Sequence, residues 1–467
     1  MGGAAPHFAR FMEVKAVMTE RSFNLVVPLA HKATAMRTTD TAGSSRGWSG
    51  AVSQLNTRPG DVESTIGPSP AGLGIRTSTT ATRTTTTATT SSALVPSADW
   101  SAPADFTFQE LAQAYFDCRR TKRNSASALA FEERLEHNLR NLYDELHAGS
   151  YKPGRSICFV ITRPKAREVW AATFRDRIAH HLLHNRIAPR FYARFIADSC
   201  ACIPGRGTMY AAERLESKIR GITQNWSRPA HYLKCDLANF FVTIDKRFVR
   251  ELLAKHISEP FWMALAETIL FHDPRQDFEY RGDPALLQLV PAHKRLTSQP
   301  AHCGLPIGNL SSQFFANVYL DVLDQYVKHG LRCRHYIRYV DDFVLLHESP
   351  QWLNDAKAKI DAFIPAALAA RLNPKKTILQ PVERGVDFVG QVIKPWRRTL
   401  RRRTFNEAIS RTRTAEHDGL FETANSYFGL LRQTTHSHHD RAQLANELRR
   451  RGHCIKSDLT KTYRRSK

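Results

Sequence analysis

Two adjacent aspartates, Asp341 and Asp342, interrupt a run of strand-forming residues: Tyr336-Ile337-Arg338-Tyr339-Val340 before them, Phe343-Val344-Leu345-Leu346 after. Aromatic and β-branched residues in such runs favour strands. A turn accounts for one aspartate at this place, but not for a pair. The pattern predicts two short strands folded about the acids, over Tyr336 to Leu346. An earlier segment fits the same plan. Tyr232-Leu233-Lys234-Cys235-Asp236 reads as a strand ending on a carboxylate, followed by Leu237-Ala238-Asn239-Phe240-Phe241. Two strands ending side by side would bring Asp236 and Asp341 together.

Clustered carboxylates repel one another unless a cation neutralises them. Oxygen-only ligands favour Mg²⁺, with Mn²⁺ as a substitute. Two such ions can activate an attacking 3′-oxygen and stabilise departing pyrophosphate in an in-line displacement. Charge points the same way. Lys and Arg number 67 against 44 Asp and Glu, a formal net charge of +23. That surplus suggests a nucleic-acid partner rather than a merely soluble basic protein. No apolar run reaches the roughly 18 residues that span a bilayer, so no membrane is expected. Met1-Gly2-Gly3-Ala4-Ala5-Pro6 lacks the apolar core of a signal peptide, and Pro6 spoils an acylation site. The 8 cysteines show neither a CxxC nor a paired Cys/His spacing. They suggest no zinc module and no disulfide framework, and place the chain in a reducing, cytoplasmic compartment.

Along the chain, Thr77 to Ser92 carries no large apolar residue, and disorder is expected over residues 1–103. A transit peptide is the alternative reading of that acid-poor segment. Ordered structure is expected from Phe106. Thr107 and Glu110 form a capping box ahead of the stripe Phe108, Leu111, Ala112, Tyr115, Phe116. A second helical stripe runs Phe131, Leu135, Leu139, Leu142, Leu146, stopped at Tyr151-Lys152-Pro153-Gly154. Cys158 to Thr162 reads as a strand. Phe174, Ile178, Leu182 and Ile187 mark a helix, and a helix with a wide apolar face spans Ser311 to His329. Val386 to Ile393 reads as a strand pair. This order suggests an α+β fold with helices on one face of a sheet.

These segments resemble reverse transcriptases from about Phe106 to Arg432. Asp236 with Phe240-Phe241 is similar to motif A, and Gly304-Leu305-Pro306-Ile307-Gly308 with Ser312 to motif B. Tyr339 to Asp342 is similar to motif C, Pro374-Lys375-Lys376-Thr377 to motif D, and Phe388-Val389-Gly390 to the primer-grip motif E. The resemblance implies a right-hand polymerase: helices and fingers over 104–230, a ferredoxin-like palm over 231–394 with a fingers insertion near 256–303, and a basic helical thumb and tail over 395–467. It implies catalytic, Mg²⁺-binding roles for Asp236, Asp341 and Asp342. Tyr339 and Val340 would lie at the substrate, and Lys165 and Arg167 at the triphosphate of a dNTP. Phe241 would lie under the incoming sugar and exclude a 2′-hydroxyl, with a core Phe as the alternative. Lys376 would donate a proton to pyrophosphate, or be a plain surface lysine. The implied partners are an RNA template, a DNA or RNA primer, and dNTPs.

Motif B departs from the commonest pattern. Ile307 stands where most of the family has Gln, beside Gly308, and Ser312-Gln313 where it has Ser-Pro. This resembles the diversity-generating retroelement branch, whose enzymes err at template adenines and work with a small basic accessory protein. Gln can hydrogen-bond an incoming nucleotide, whereas Ile can only pack against it. Defence-associated and group II intron-like reverse transcriptases, and an RNA-binding scaffold of the same fold, are the alternatives. Gly205-Arg206-Gly207-Thr208 reads as a template contact or a plain turn. Lys394 to Lys467 carries 18 Lys/Arg and 7 Asp/Glu, which suggests a thumb facing phosphates. The chain ends too soon after it for an RNase H or HNH domain. His436, His438, His439 and Asp440 read as a solvated loop.

Overall fold

The computed structural model describes residues 98–463, apart from 121, 123, 124, 163 and 164. The extension expected to be disordered lies outside the described residues as far as position 97. Among the described residues no helix is long and apolar enough to cross a membrane.

Helix α1 (Phe108–Arg119) opens on the expected capping box, with Thr107 and Glu110 exchanging hydrogen bonds. Leu111, Ala112 and Tyr115 are buried on its inner face. The second stripe, expected as one helix, is two: α2 (Ala126–Glu132) and α3 (Leu135–His147). Arg134 leaves helical geometry (φ −130°, ψ 48°). The Asn138 side-chain amide donates to the Phe131 carbonyl at 2.9 Å, which satisfies an acceptor at the broken end.

Strands β1 (Ser156–Ile161) and β2 (Arg167–Ala171) form an antiparallel hairpin. Helices α4 (Phe174–Tyr192) and α5 (Thr208–Ile222) follow, then β3 (His231–Asp236), the short α6 (Phe240–Thr243), α7 (Lys246–Ala254) and α8 (Pro260–Phe271). Strand β4 (Phe278–Tyr280) returns to lie parallel to β1. Helix α9 (Leu310–Gln325) ends in a π turn over Tyr326–Gly330. Then come β5 (His335–Tyr339), β6 (Asp342–His347), α10 (Pro350–Leu368) and β7 (Ile378–Pro381). These strands make one antiparallel sheet in the order β5-β6-β3-β7.

Alternation along these strands buries both faces. Tyr232, Ile337, Val344 and Leu346 share a core with Leu215 and Ile219 of α5. Leu233, Cys235, Phe343 and Leu345 are also buried, and α10 packs on β3 and β6. A second small sheet, β8 (Val386–Phe388), β9 (Gln391–Lys394) and β10 (Arg397–Leu400), adds Val386, Phe388 and Ile393 to the α5 core. The chain ends in α11 (Arg402–Thr414), α12 (His417–Arg432) and α13 (His438–Arg450), with their own core around Phe405, Phe428 and Leu444.

The arginine cluster after Lys394 is not one phosphate-facing surface. Arg398 is buried, donating to Glu216 of α5 at 3.1 Å and to the Gln433 carbonyl at 3.1 Å, and Arg401 pairs with Asp387. Only Arg402 and Arg403 open a helix, both exposed. His438 and His439, read as loop, begin α13. Gly205 and Gly207 flank a turn whose Arg206 donates to the Ile196 and Ser199 carbonyls.

Candidate active site

The register of the four-stranded sheet sets the site. Strands β3 and β6 run antiparallel, with Asp236, the last residue of one, opposite Asp342, the first of the other. The Leu237 amide donates to the Asp341 carbonyl at 3.3 Å, extending the ladder one step past the acids. The β5–β6 turn needs a left-handed residue, and Val340 supplies it (φ 54°). The three carboxylates thus meet at the end of the sheet, two of them on a tight turn.

Crowding shows in their acidity. Burial, then the nearby Asp236 charge, raises the Asp341 carboxyl above its ordinary value. Burial pushes Asp342 up to about 6, against the opposing pull of Lys234. Two lysines partly offset the negative charge. The Lys376 ammonium donates to Asp236 Oδ2 at 2.5 Å, and Lys234 lies 3.1 Å from Asp342 Oδ2. Asn373 adds a side-chain donor to Asp236 Oδ1 at 3.3 Å, and its backbone N–H donates to the Asp236 carbonyl. Among the described residues no three His, Cys, Asp or Glu side chains already stand as a metal-ligating group. Lysines instead occupy one oxygen each of Asp236 and Asp342. The donor set still suits a hard divalent ion, being all carboxylate, and the buried Asp342 Oδ1 has no hydrogen-bond partner.

The second segment singled out in the sequence is the loop before α9. The Gly304 and Leu305 amides donate to the Ile244 and Phe241 carbonyls, each at 2.8 Å. Trp170 of β2 donates its amide to the Ile307 carbonyl at 2.8 Å, and Asn309 Oδ1 accepts from the Ala172 amide at 3.0 Å. Gly308 is obligatory. Its φ is 125°, and a Cβ there would lie 2.9 Å from Val169 Cγ1. The loop therefore ties β2 to α6. Phe240 is core, while Phe241 is half-buried beside it, ring centroids 5.4 Å apart. Arg167 is exposed at the start of β2, near enough for its charge to lower the Asp341 carboxyl. Lys165 is exposed in the turn before it, and Gln313 is exposed in the first turn of α9.

Sequence reasoning missed the residues beneath the acids: Lys234, Asn373, Asp324 and Arg338. The signal for two of them was a lone cation inside an apolar strand, Lys234 in YLKCD and Arg338 in YIRYV.

The chain matches the family "Reverse transcriptase (RNA-dependent DNA polymerase)" over residues 156–393, about half of its length. No curated protein matches it. Among solved structures it is similar to telomerase from Candida albicans in complex with a TWJ fragment of telomeric RNA. That match has 12% identity and a TM-score of 0.37, covering 63% of this chain and 55% of that one. It is also similar to apo telomerase from Candida tropicalis, with 13% identity and a TM-score of 0.41, covering 59% and 52%. The chain thus spans about half the length of either.

Proposed function

Since the chain belongs to the reverse transcriptase family, we propose that it copies RNA into DNA, with Asp236, Asp341 and Asp342 as the catalytic carboxylates. The observation that carries this reading is the register that sets Asp236 opposite Asp342, beside Asp341 on the turn. These three residues would hold two Mg²⁺ ions, which supply activation of the primer 3′-oxygen and stabilisation of the pyrophosphate. Lys376 moves off Asp236 to meet the departing pyrophosphate as its acid. Arg167 and Lys165 bind the triphosphate. Phe241 packs under the sugar, while Ile307 and Gly308 face the nascent pair. Tyr339 and Val340 seat the primer terminus. In this reading, 104–230 with the insertion near 256–303 forms the fingers, 231–394 the palm and 395–467 the thumb. Template RNA, primer and dNTPs are the partners, and the cytoplasm is the compartment.

The branch we favour is the diversity-generating retroelement, on Ile307 and Ser312-Gln313, with Gln313 contacting template or accessory protein. The test is primer extension on a defined RNA with dNTPs and Mg²⁺, followed by sequencing of the product. Extension with errors concentrated at template adenines supports both levels. Accurate extension keeps the polymerase, drops the branch and favours a defence-type or intron-like enzyme. RNA binding without extension leaves a scaffold.

A further inference from the structure

Val340 has a branched side chain in the left-handed region, a conformation such residues adopt only when their surroundings impose it. A buried cation that bonds its carbonyl lies two residues upstream. The Arg338 guanidinium is buried, 1% exposed, against Asp324, which is 0% exposed. All five of its N–H groups are used. Nε and one Nη2 hydrogen take both oxygens of Asp324 at 2.8 and 2.7 Å. The other Nη2 hydrogen goes to Ser199 Oγ at 2.8 Å, and one Nη1 hydrogen to Asn317 Oδ1 at 3.2 Å. The last, from Nη1, reaches the Val340 carbonyl at 3.1 Å. Tyr336 donates its hydroxyl to Asp324 Oδ1 at 2.7 Å, fixing the acid from a further side. The Arg338 main chain is held too, its amide donating to the Asp198 carbonyl and its carbonyl accepting from the Cys200 amide.

We propose that Arg338, clamped by Asp324, is a positioning residue that holds the Val340 carbonyl, and through it the turn that aims Asp341 and Asp342 toward Asp236. This rests on the polymerase reading above. The action is geometric. Asp324 neutralises the guanidinium, and the cations bearing on Asp341 are Lys376 and Arg167. Four bonds immobilise the planar fork on α9 and the Ser199 segment, so the fifth has a fixed origin. A lysine keeps the charge but lacks the fork, and cannot hold Asp324 and Val340 together.

The test is Arg338→Lys in the full chain. Metal affinity is read by Mn²⁺ electron paramagnetic resonance on a complex with dideoxy-terminated primer and dNTP, where no turnover occurs. Metal affinity should fall about tenfold and single-nucleotide incorporation at least as much, as when a ligand's supporting residue is lost. Template–primer affinity should stay within about twofold, because the phosphate contacts are untouched. Val340→Gly in the Arg338→Lys background should recover most of the metal affinity, since glycine adopts the left-handed turn unaided. A purely structural arginine predicts no such rescue. Should Arg338→Lys fail to fold, Asp324→Asn, isosteric, loosens the same fork and should weaken metal binding about threefold through the loss of one charge-assisted bond. Unchanged metal affinity in the folded variant, or no rescue by glycine, overturns the proposal. A wild-type complex that binds no Mn²⁺ and extends no primer sinks the polymerase reading, and this inference with it.

Discussion

Two carboxylate sites flank the β5–β6 hairpin and are neutralised in opposite ways. At the end of the sheet, Asp236 and Asp342 are held by lysines, each through one oxygen. Beneath the turn, Asp324 is held by an arginine through both oxygens, with no solvent access. An ammonium is a mobile point charge on a flexible stem, whereas a guanidinium fork is rigid and bidentate. The Lys376 side chain is 46% exposed, so water can take over its contact. On the proposed reading, Lys376 stands where the partner would be exchanged for metal, and Arg338 where it would stay.

Five measurements would break or sharpen that contrast, from the largest effect to the smallest. Asp341→Asn keeps the shape of the turn and removes a charge proposed to hold metal. Incorporation should drop by roughly three orders of magnitude with folding and RNA binding intact; wild-type rates would remove Asp341 from the chemistry. Phe241→Val changes no charge and, on the proposed reading, opens space under the incoming sugar. The ratio of ribonucleotide to deoxynucleotide incorporation should rise about tenfold, and an unmoved ratio would return Phe241 to the core. Lys376→Arg puts the permanent kind of partner at the exchangeable site. The Mg²⁺ concentration for half-maximal rate should rise roughly fivefold, as a bidentate pair is harder to displace. A lower Mg²⁺ requirement would contradict the contrast. If Ile307 faces the nascent pair as proposed, Ile307→Gln adds one hydrogen bond there, worth about 0.5–1.5 kcal/mol, so errors per cDNA should fall several-fold, mainly opposite adenine. The readout is error rate, since yield can fall for other reasons.

The smallest effect is on stability. In metal-free protein the Asp342 carboxyl sits near 6 because of burial, above its unfolded value of about 3.9. The folded state therefore holds the proton more tightly. Its contribution is fully present below the unfolded value and is lost as pH rises through 6. Melting temperature should fall by roughly a few degrees between pH 4 and 7 from this group. Asp342→Asn should flatten that slope and Lys234→Met should steepen it. A Lys234→Met slope no steeper than wild type would mean that Lys234 does not offset Asp342.

Much of this site was legible beforehand. The acid pair in a strand-forming run foretold the β5–β6 hairpin, and YLKCD foretold β3 ending on Asp236, because strand propensity and turn chemistry are local. The helix break at Arg134 was not legible, since the apolar spacing continues through it and only the Asn138 contact reveals it. The fork was not legible either. Arg338 and Asp324 are fourteen residues apart on different elements, and their pairing depends on how α9 packs beneath β5. The arginines after Lys394 misled for a related reason. Composition counts charges, but Arg398 turns inward to Glu216 and Arg401 pairs with Asp387 at the surface, acids that only the fold brings near.

Strand order also has a consequence in time. Strand β3 is flanked by β6 and β7, and β6 begins about a hundred residues later in the chain. A ribosome adding about 5–20 residues per second leaves β3 without either neighbour for on the order of 10 s. Its early cover is α5, made just before it and packed on Tyr232, while Leu233 and Cys235 wait for the later elements. An unpaired apolar strand is an aggregation template. Pausing between codons 236 and 342 therefore lengthens a hazardous interval, and pausing ahead of codon 231 does not.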